Sequence, residues 1–321
     1  MDLKSYFVPQ KMMRNVLLSL LPIILFAIYS HGWRLIVLLA SVLIAAIAAE
    51  YLVMRSIQKE KTKVSEAVIV SAFLFTLSLP PATPIWIAIV GILVGVVFGK
   101  CAFGGFGRNI FNPALVGRCF IYISFPYYLT MNWSEPFKGL PGGFAAYQAG
   151  ADAITSTTPM INIKAGGEAP GLGTLILGTH ASSLGEGPIL LIILAAIYLI
   201  YTKTASWKIM VSTIGGAAVS TLIFTIFGAN TAPFHTVFLT GGLLFAAVFM
   251  ATDPVSAPRD ETAKIIVGAL IGCFAMIIRT FALFTEGVMF AILIANALTP
   301  LIERSLKEAR ENKNEKELAK S

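Results

Sequence analysis

Ten runs of apolar residues, bounded by charged residues or by Gly and Pro, set the frame of this chain. The first five fall at 16–29, 35–54, 67–79, 85–98 and 113–128, and the second five at 188–201, 209–226, 236–250, 265–281 and 288–301. Several are shorter than the ~20 residues that a perpendicular helix needs to cross a bilayer. Short runs interrupted by Gly or Pro predict broken or tilted helices inside a bundle, where neighbours satisfy the freed backbone groups. The pattern divides the chain into a first membrane half (1–128), a long polar interruption (129–187), a second membrane half (188–302) and a charged tail (303–321). The tail alternates Glu, Lys and Arg and reads as a solvated helical end or a disordered segment.

Composition agrees with the pattern. Of 321 residues, 56% are hydrophobic and 13% are charged, with a mean hydropathy of +0.79. A soluble domain carries roughly 25% charged residues, so this is an integral membrane protein. A net charge of +7 does not point to nucleic acid, because the basic residues cluster between apolar runs and at both ends. With the N-terminus inside, 19 of the 24 basic residues fall on the cytoplasmic side. Four (Arg34, Lys138, Lys164, Arg279) fall outside and Arg118 lies within a span. That asymmetry predicts ten spans with both termini in the cytoplasm, and loop 129–187 on the opposite face. No small-residue cleavage site follows the first run, which ends Ile28-Tyr29-Ser30-His31; it reads as a span, not a signal peptide.

An internal match refines the architecture. Val90-Gly91-Ile92-Leu93-Val94-Gly95 in run four parallels Val267-Gly268-Ala269-Leu270-Ile271-Gly272 in run nine, each after a proline-marked break. Five spans per half force the second copy upside down. The expected fold is an all-α polytopic membrane protein of about ten helices in two inverted five-helix repeats.

Candidate chemistry sits at the breaks. Lys100 to Pro113 holds Gly104, Gly105 and Gly107 together with Asn109 and Asn112, amides three residues apart. It is either a close backbone approach to a ligand or a helix-initiating turn, and its spacing matches neither a Walker motif nor a dinucleotide fingerprint. Thr252-Asp253-Pro254-Val255-Ser256 places a carboxylate at a membrane-depth break, as a ligand group or as a helix cap. Asp152-Ala153-Ile154-Thr155-Ser156-Thr157-Thr158-Pro159-Met160 puts four consecutive hydroxyls behind an acid in the polar loop; by itself this also suits an ordinary Asx or ST turn. Glu50 and Glu286, acids at or near span ends, are candidates for an ion path, with a pairing to Arg55 and a helix cap as their structural alternatives. His31, His180 and His235 stand alone, and Cys101, Cys119 and Cys273 lack metal-type spacing, so no metal site or disulfide is expected.

Taken in order, these motifs resemble the NqrB/RnfD family of flavin-carrying membrane subunits. The resemblance spans about residues 11–304. It is carried by Gly104-Gly105-Phe106-Gly107-Arg108-Asn109-Ile110-Phe111-Asn112-Pro113-Ala114-Leu115-Val116-Gly117-Arg118, by Thr252-Asp253-Pro254-Val255-Ser256, and by Glu286-Gly287-Val288 leading to Asn296-Ala297-Leu298-Thr299-Pro300. It implies FMN held through a phosphoester on Thr158, installed by a flavin transferase, with Asp152, Thr155, Ser156 and Thr157 completing the acceptor motif. Thr157 stands where the family has alanine, which places a competing hydroxyl beside the acceptor. It also implies non-covalent riboflavin on the cytoplasmic side at Asn109, Asn112 and Asp253. The function expected from it is electron transfer within an Rnf-type complex of several subunits, coupled to Na⁺ or H⁺ movement across a bacterial or archaeal cytoplasmic membrane. Such a chain is not catalytic alone: it lacks an NAD fingerprint and ferredoxin-type cysteines. Thr158-Pro159-Met160, Ser256-Ala257-Pro258 and the short N-terminal arm favour the Rnf type over the NqrB type of the Na⁺-translocating NADH:quinone reductase. The alternative of another class is a non-redox solute channel.

Overall fold

The computed structural model describes residues 7–58, 63–131, 133–137, 139–147, 158–164, 167–229, 232–282 and 287–318. Every apolar run becomes helix, whole or broken. The first half contains α1 (Lys11–His31), α2 (Arg34–Gln58), α3 (Glu66–Leu77), α4 (Ile85–Gly99), α5 (Pro113–Ser124) and α6 (Pro126–Thr130). The polar stretch holds two short helices, α7 (Pro159–Lys164) and α8 (Leu172–Leu177). The second half contains α9 (Ile189–Tyr201), α10 (Trp207–Ile226), α11 (Phe234–Leu239), α12 (Leu243–Phe245), a π-turn over Ala246–Met250, α13 (Glu261–Phe281) and α14 (Val288–Leu318). Helices α1, α2, α10, α13, α14 and α4 with the turn after it are long and apolar enough to cross a membrane; α3, α5 and α9 are shorter apolar helices. The chain is an all-helical, polytopic membrane protein. Among the described residues the regular strands are β1 (Phe7–Val8) and β2 (Val64–Ser65), a two-residue parallel pair that ties the N-terminal arm to the start of α3.

Breaks in the helices have identifiable causes. The fifth run is not one helix: Pro126 cannot donate to the i−4 carbonyl, and α5 ends at Ser124. The eighth run breaks at Gly241 and Gly242, whose φ values of 64° and 69° are left-handed and cheap only for glycine. The carbonyls freed there are met by a buried guanidinium. Arg279 of α13 donates to Val237 O at 3.0 Å and to Gly241 O. Arg34 does the same for the break between α3 and α4, donating to Pro81 O and to Thr83 O at 2.7 Å. The charge count treats both arginines as solvent-side loop residues, yet they are 8% (Arg34) and 2% (Arg279) exposed. They belong to the core, where an unpaired carbonyl costs more than a desolvated guanidinium with partners.

Packing follows the glycines. Gly95 and Gly117 bring the backbones of α4 and α5 into direct contact, and Gly216 and Gly272 do so for α10 and α13. The matched glycines of the internal repeat therefore meet non-equivalent neighbours, α5 in the first half and α10 in the second. The charged tail is helical: α14 runs without interruption to Leu318, with i,i+4 pairs Arg304–Glu308, Lys307–Glu311 and Lys313–Glu317. Arg310 near its end binds Asp260, the N-cap of α13, at 2.5 Å. Met12 of α1 and Arg259 line one cavity, so the first turn of α1 and the last third of α14 lie at the same end of the bundle.

Candidate functional site

At that end, three of the sequence candidates converge. Asn109, Asn112 and Asp253 line a single cavity with Lys100, between apolar walls that include Met13, Leu74, Phe106 and Phe249. Asn112 reaches it as the N-cap of α5, its Oδ1 accepting from Ala114 N at 3.0 Å and Leu115 N at 3.4 Å. The cap turns its amide nitrogen, not its oxygen, into the free donor group. Asn109 donates to Phe111 O at 3.1 Å, which holds the turn between the glycines and α5. Asp253 is half-buried in the turn after the π-segment and accepts from Val255 N at 3.2 Å and Ser256 Oγ at 3.1 Å. Burial raises its carboxyl pKa above the ordinary 3.8, and these two hydrogen bonds and the charge of Lys100 oppose the rise.

Lys100 is the group the motif reading left without a role. It is 2% exposed, lies 2.8 Å from Glu50 and donates to Ser65 Oγ at 2.5 Å. Ser65 in turn donates to Glu50 at 2.9 Å, so one hydroxyl bridges the two charges. Glu50 thus pairs with Lys100 and not with Arg55, which stacks over Tyr51. An ammonium has three donors; Glu50 and Ser65 take two of Lys100's, and one is left for the cavity it lines. No sequence signal joined these residues, because Glu50, Ser65 and Lys100 come from three separate elements.

The cavity has the composition of a small-molecule site, mostly apolar with a few convergent polar groups. Amide, ammonium and carboxylate are the donor and acceptor types that a flavin's pyrimidine edge requires. Its volume of about 30 Å³ is room for two or three waters at roughly 10–15 Å³ each. Donor chemistry fits a flavin; the ring system needs the apolar walls to part.

A second cavity, of about 20 Å³, lies at the opposite end of α9 and includes Thr158, Trp133, His180, Ser182, Ser183, Glu186 and Gly241 in its lining. Thr158 is half-buried, and its carbonyl accepts from Asn162 N at 2.9 Å, the first turn of α7. Pro159 follows at the first helical position, where its missing N–H costs nothing. Glu186 is buried against Arg118 of α5 at 3.3 Å and presses on Gly242, where any side chain would displace it. The loop carrying Ser182–Glu186 is fixed by Leu184 N and Gly185 N, which donate to Leu79 O at 3.1 Å and Leu77 O at 2.7 Å. Burial holds His180 below its ordinary value of 6.5, partly offset by its contact with Thr174 O. Ser183 Oγ is buried without a hydrogen-bond partner among the described residues. That hydroxyl lines the same cavity as Thr158, a donor without a partner among the described residues. Asp152, Thr155, Ser156, Thr157 and Glu286 lie outside the described residues. The two cavities are separated by the 13 residues of α9, roughly 20 Å.

Comparison with known proteins decides the family. The model of the NQR2, RnfD, RnfE family matches residues 5–311. The chain belongs to this family. Among family members, it is 32% identical over 308 residues to the D subunit of the proton-translocating ferredoxin:NAD(+) oxidoreductase complex of Clostridium ljungdahlii, covering 92% of this chain and 89% of that protein. It is 32% identical to the D subunit of the ion-translocating oxidoreductase complex of Halorhodospira halophila, covering 91% and 88%. The B subunit of the Na(+)-translocating NADH-quinone reductase of Pseudomonas paraeruginosa is 36% identical over 77% of this chain, which spans only 61% of that longer relative.

Proposed function

We propose that this protein is the flavin-carrying D subunit of an Rnf-type, ion-translocating ferredoxin:NAD oxidoreductase. The observation that carries the assignment is the match to two D subunits over 91–92% of this chain and 88–89% of theirs, against a match to 61% of the quinone-reductase B subunit. The protein acts as one subunit of a translocase, with electron donor and acceptor docking on partner subunits.

In this reading FMN is linked to Thr158 by a flavin transferase, and riboflavin binds non-covalently at Asn109, Asn112 and Asp253, with Lys100 as a fourth polar contact. Bound flavin supplies electron uptake and release; the protein supplies position and electrostatics. The orphan hydroxyl of Ser183 in the Thr158 cavity and the spare ammonium donor of Lys100 support these two placements. Thr157 competes for the phosphoester. Glu50 and Glu286 remain the ion-path candidates, Glu50 now as half of a buried ion pair.

The architecture belongs to the same proposal: ten spans in two inverted halves, in a bacterial or archaeal cytoplasmic membrane, with both termini in the cytoplasm. Support comes from the packing order, since α2 packs on α4 and α4 on α5, while α10 packs on α13 and α13 on α14. The clustering of basic residues at the end that carries the first turn of α1 and the last third of α14 supports the orientation.

The deciding experiment is in-gel flavin fluorescence and peptide mass spectrometry after coexpression with a flavin transferase. Thr158→Ala is expected to abolish the fluorescent band and electron transfer through the complex, and Thr157→Ala to retain both. FMN on residue 157 moves the acceptor by one position. No flavin anywhere in 151–164 overturns the redox assignment in favour of a non-redox channel.

A further inference from the structure

The end of the bundle that carries the first turn of α1 holds a larger cavity, which adjoins the candidate riboflavin cavity along Thr204, Thr252 and Pro254 but is lined by different charges. It has a volume of about 480 Å³ and lies around the turn between α9 and α10. Its charged lining is Lys203, Lys208, Arg259 and Lys264 against the single carboxylate of Glu261, a net charge of +3. Glu261 holds two of these cations in place, at 2.9 Å from Lys208 and 2.5 Å from Lys264, and is itself 60% exposed. The lysines are therefore arranged together without being neutralised as a set.

This basic cavity adjoins an apolar one. Trp207 and Lys208 line both. The second is a groove of about 900 Å³ between α10 and α13, with Lys208 as its one charged residue. Its floor lies where Gly216 meets the Ala269 backbone, and the adjacent Gly215 faces open space. Val211, Val219, Ile223 and Ile265 form its exposed walls. Ile223 lies 15 residues beyond Lys208, roughly 22 Å along the helix and more than the ~15 Å depth of one leaflet's hydrocarbon.

A cationic recess that shares Trp207 and Lys208 with an apolar groove of leaflet depth is complementary to one kind of molecule. We propose that these two cavities form a single site for an anionic phospholipid, its phosphate among Lys203, Lys208, Arg259 and Lys264 and an acyl chain along the α10–α13 groove. Basic pockets between membrane helices recognise anionic headgroups in this way. Glu261 pairs with only part of this lining, and a purely apolar partner helix would leave its net charge of +3 uncompensated, which is why the charge decides for lipid. Trp207, half-exposed at the junction, suits the polar–apolar boundary.

The test uses the full chain in an uncharged detergent, titrated with phosphatidylglycerol or with phosphatidylcholine of the same acyl chains and read by native mass spectrometry. The wild-type protein is expected to retain phosphatidylglycerol in preference to phosphatidylcholine. The double variant Lys208→Gln/Arg259→Gln, which removes two of the cations and with them the Lys208–Glu261 pair, is expected to lose about thirtyfold in phosphatidylglycerol affinity, from two basic contacts. Gly215→Leu meets no atom within 4 Å of the added Cβ and is expected to weaken both lipids by filling the groove. Equal retention of the two lipids by the wild-type protein overturns the proposal, as does an unchanged preference in the charge variant. Gly215→Leu that keeps lipid but strips a neighbouring chain from the intact complex also overturns it, and assigns the groove to a partner helix.

Discussion

Replacing Lys100 by Met isolates the charge at the first cavity. The Lys100 ammonium lies 2.8 Å from Glu50 and 2.5 Å from Ser65 Oγ, with the two ionic side chains 2% and 3% exposed. Methionine is unbranched and adaptable enough to fill the path of the lysine stem, so the change removes charge more than volume. Glu50 is left with Ser65 as its hydrogen-bond partner among the described residues. Removing one partner of a buried pair costs about 3–5 kcal/mol, or roughly two to three and a half decades in the unfolding equilibrium at ~1.4 kcal/mol per decade. Lys100→Met combined with Glu50→Leu removes both charges, and replacing a whole buried pair by apolar groups is often neutral or stabilising. The double variant is therefore expected to regain most of the single-variant loss. The assay is equilibrium unfolding in mixed detergent micelles across the four proteins of a double-mutant cycle. Additive losses, or a cost for Lys100→Met below about 1 kcal/mol as for an exposed pair, would refute the coupled buried pair.

Three further outcomes follow from the same structure. Asn112→Asp keeps the α5 cap, because Asp and Asn cap about equally well, but removes the amide donor; it is expected to lose non-covalent riboflavin while covalent flavin stays, and unchanged riboflavin in it and in Asp253→Leu would remove this cavity from consideration. Arg279→Met leaves the Val237 and Gly241 carbonyls without their donor, at about 1–3 kcal/mol for each buried group; a micelle unfolding midpoint equal to wild type would contradict that role. The Asp260 carboxyl is held below its ordinary value of 3.8, first by the hydrogen bond from Arg310 and then by the Ala263 and Thr262 amides. A depressed carboxyl pKa stabilises the folded contact above the unfolded value and loses that contribution as pH falls through the folded one. Hydrogen exchange in residues 305–318, taken relative to the intrinsic rate at each pH, is expected to rise below about pH 4, and protection that stays constant across that range, or that Arg310→Ala leaves unaltered, would count against the contact.

Hydropathy is a local property, and so the membrane class and the position of every apolar run were legible along the chain. Local rules also exposed Asn112 before Pro113 as a helix start, whereas the fifth run was read through Pro126, where the helix breaks. Partners distant in the chain were not legible. Asp253 joins Asn109 and Asn112 across some 140 residues, and Glu50 finds Lys100 instead of the nearby Arg55, because contact between helices depends on where their backbones approach. Counting charges by loop placed Arg34 and Arg279 in water. The structure buries both, since each broken helix exposes carbonyls that the sequence does not mark, and a guanidinium with several donors is the side chain able to satisfy two of them at once. The amide and carboxylate residues of the first cavity were therefore visible as motifs and the second only through Thr158-Pro159-Met160, while the pairing that gives each its charge and shape was decided by the packing of helices around glycines and freed carbonyls.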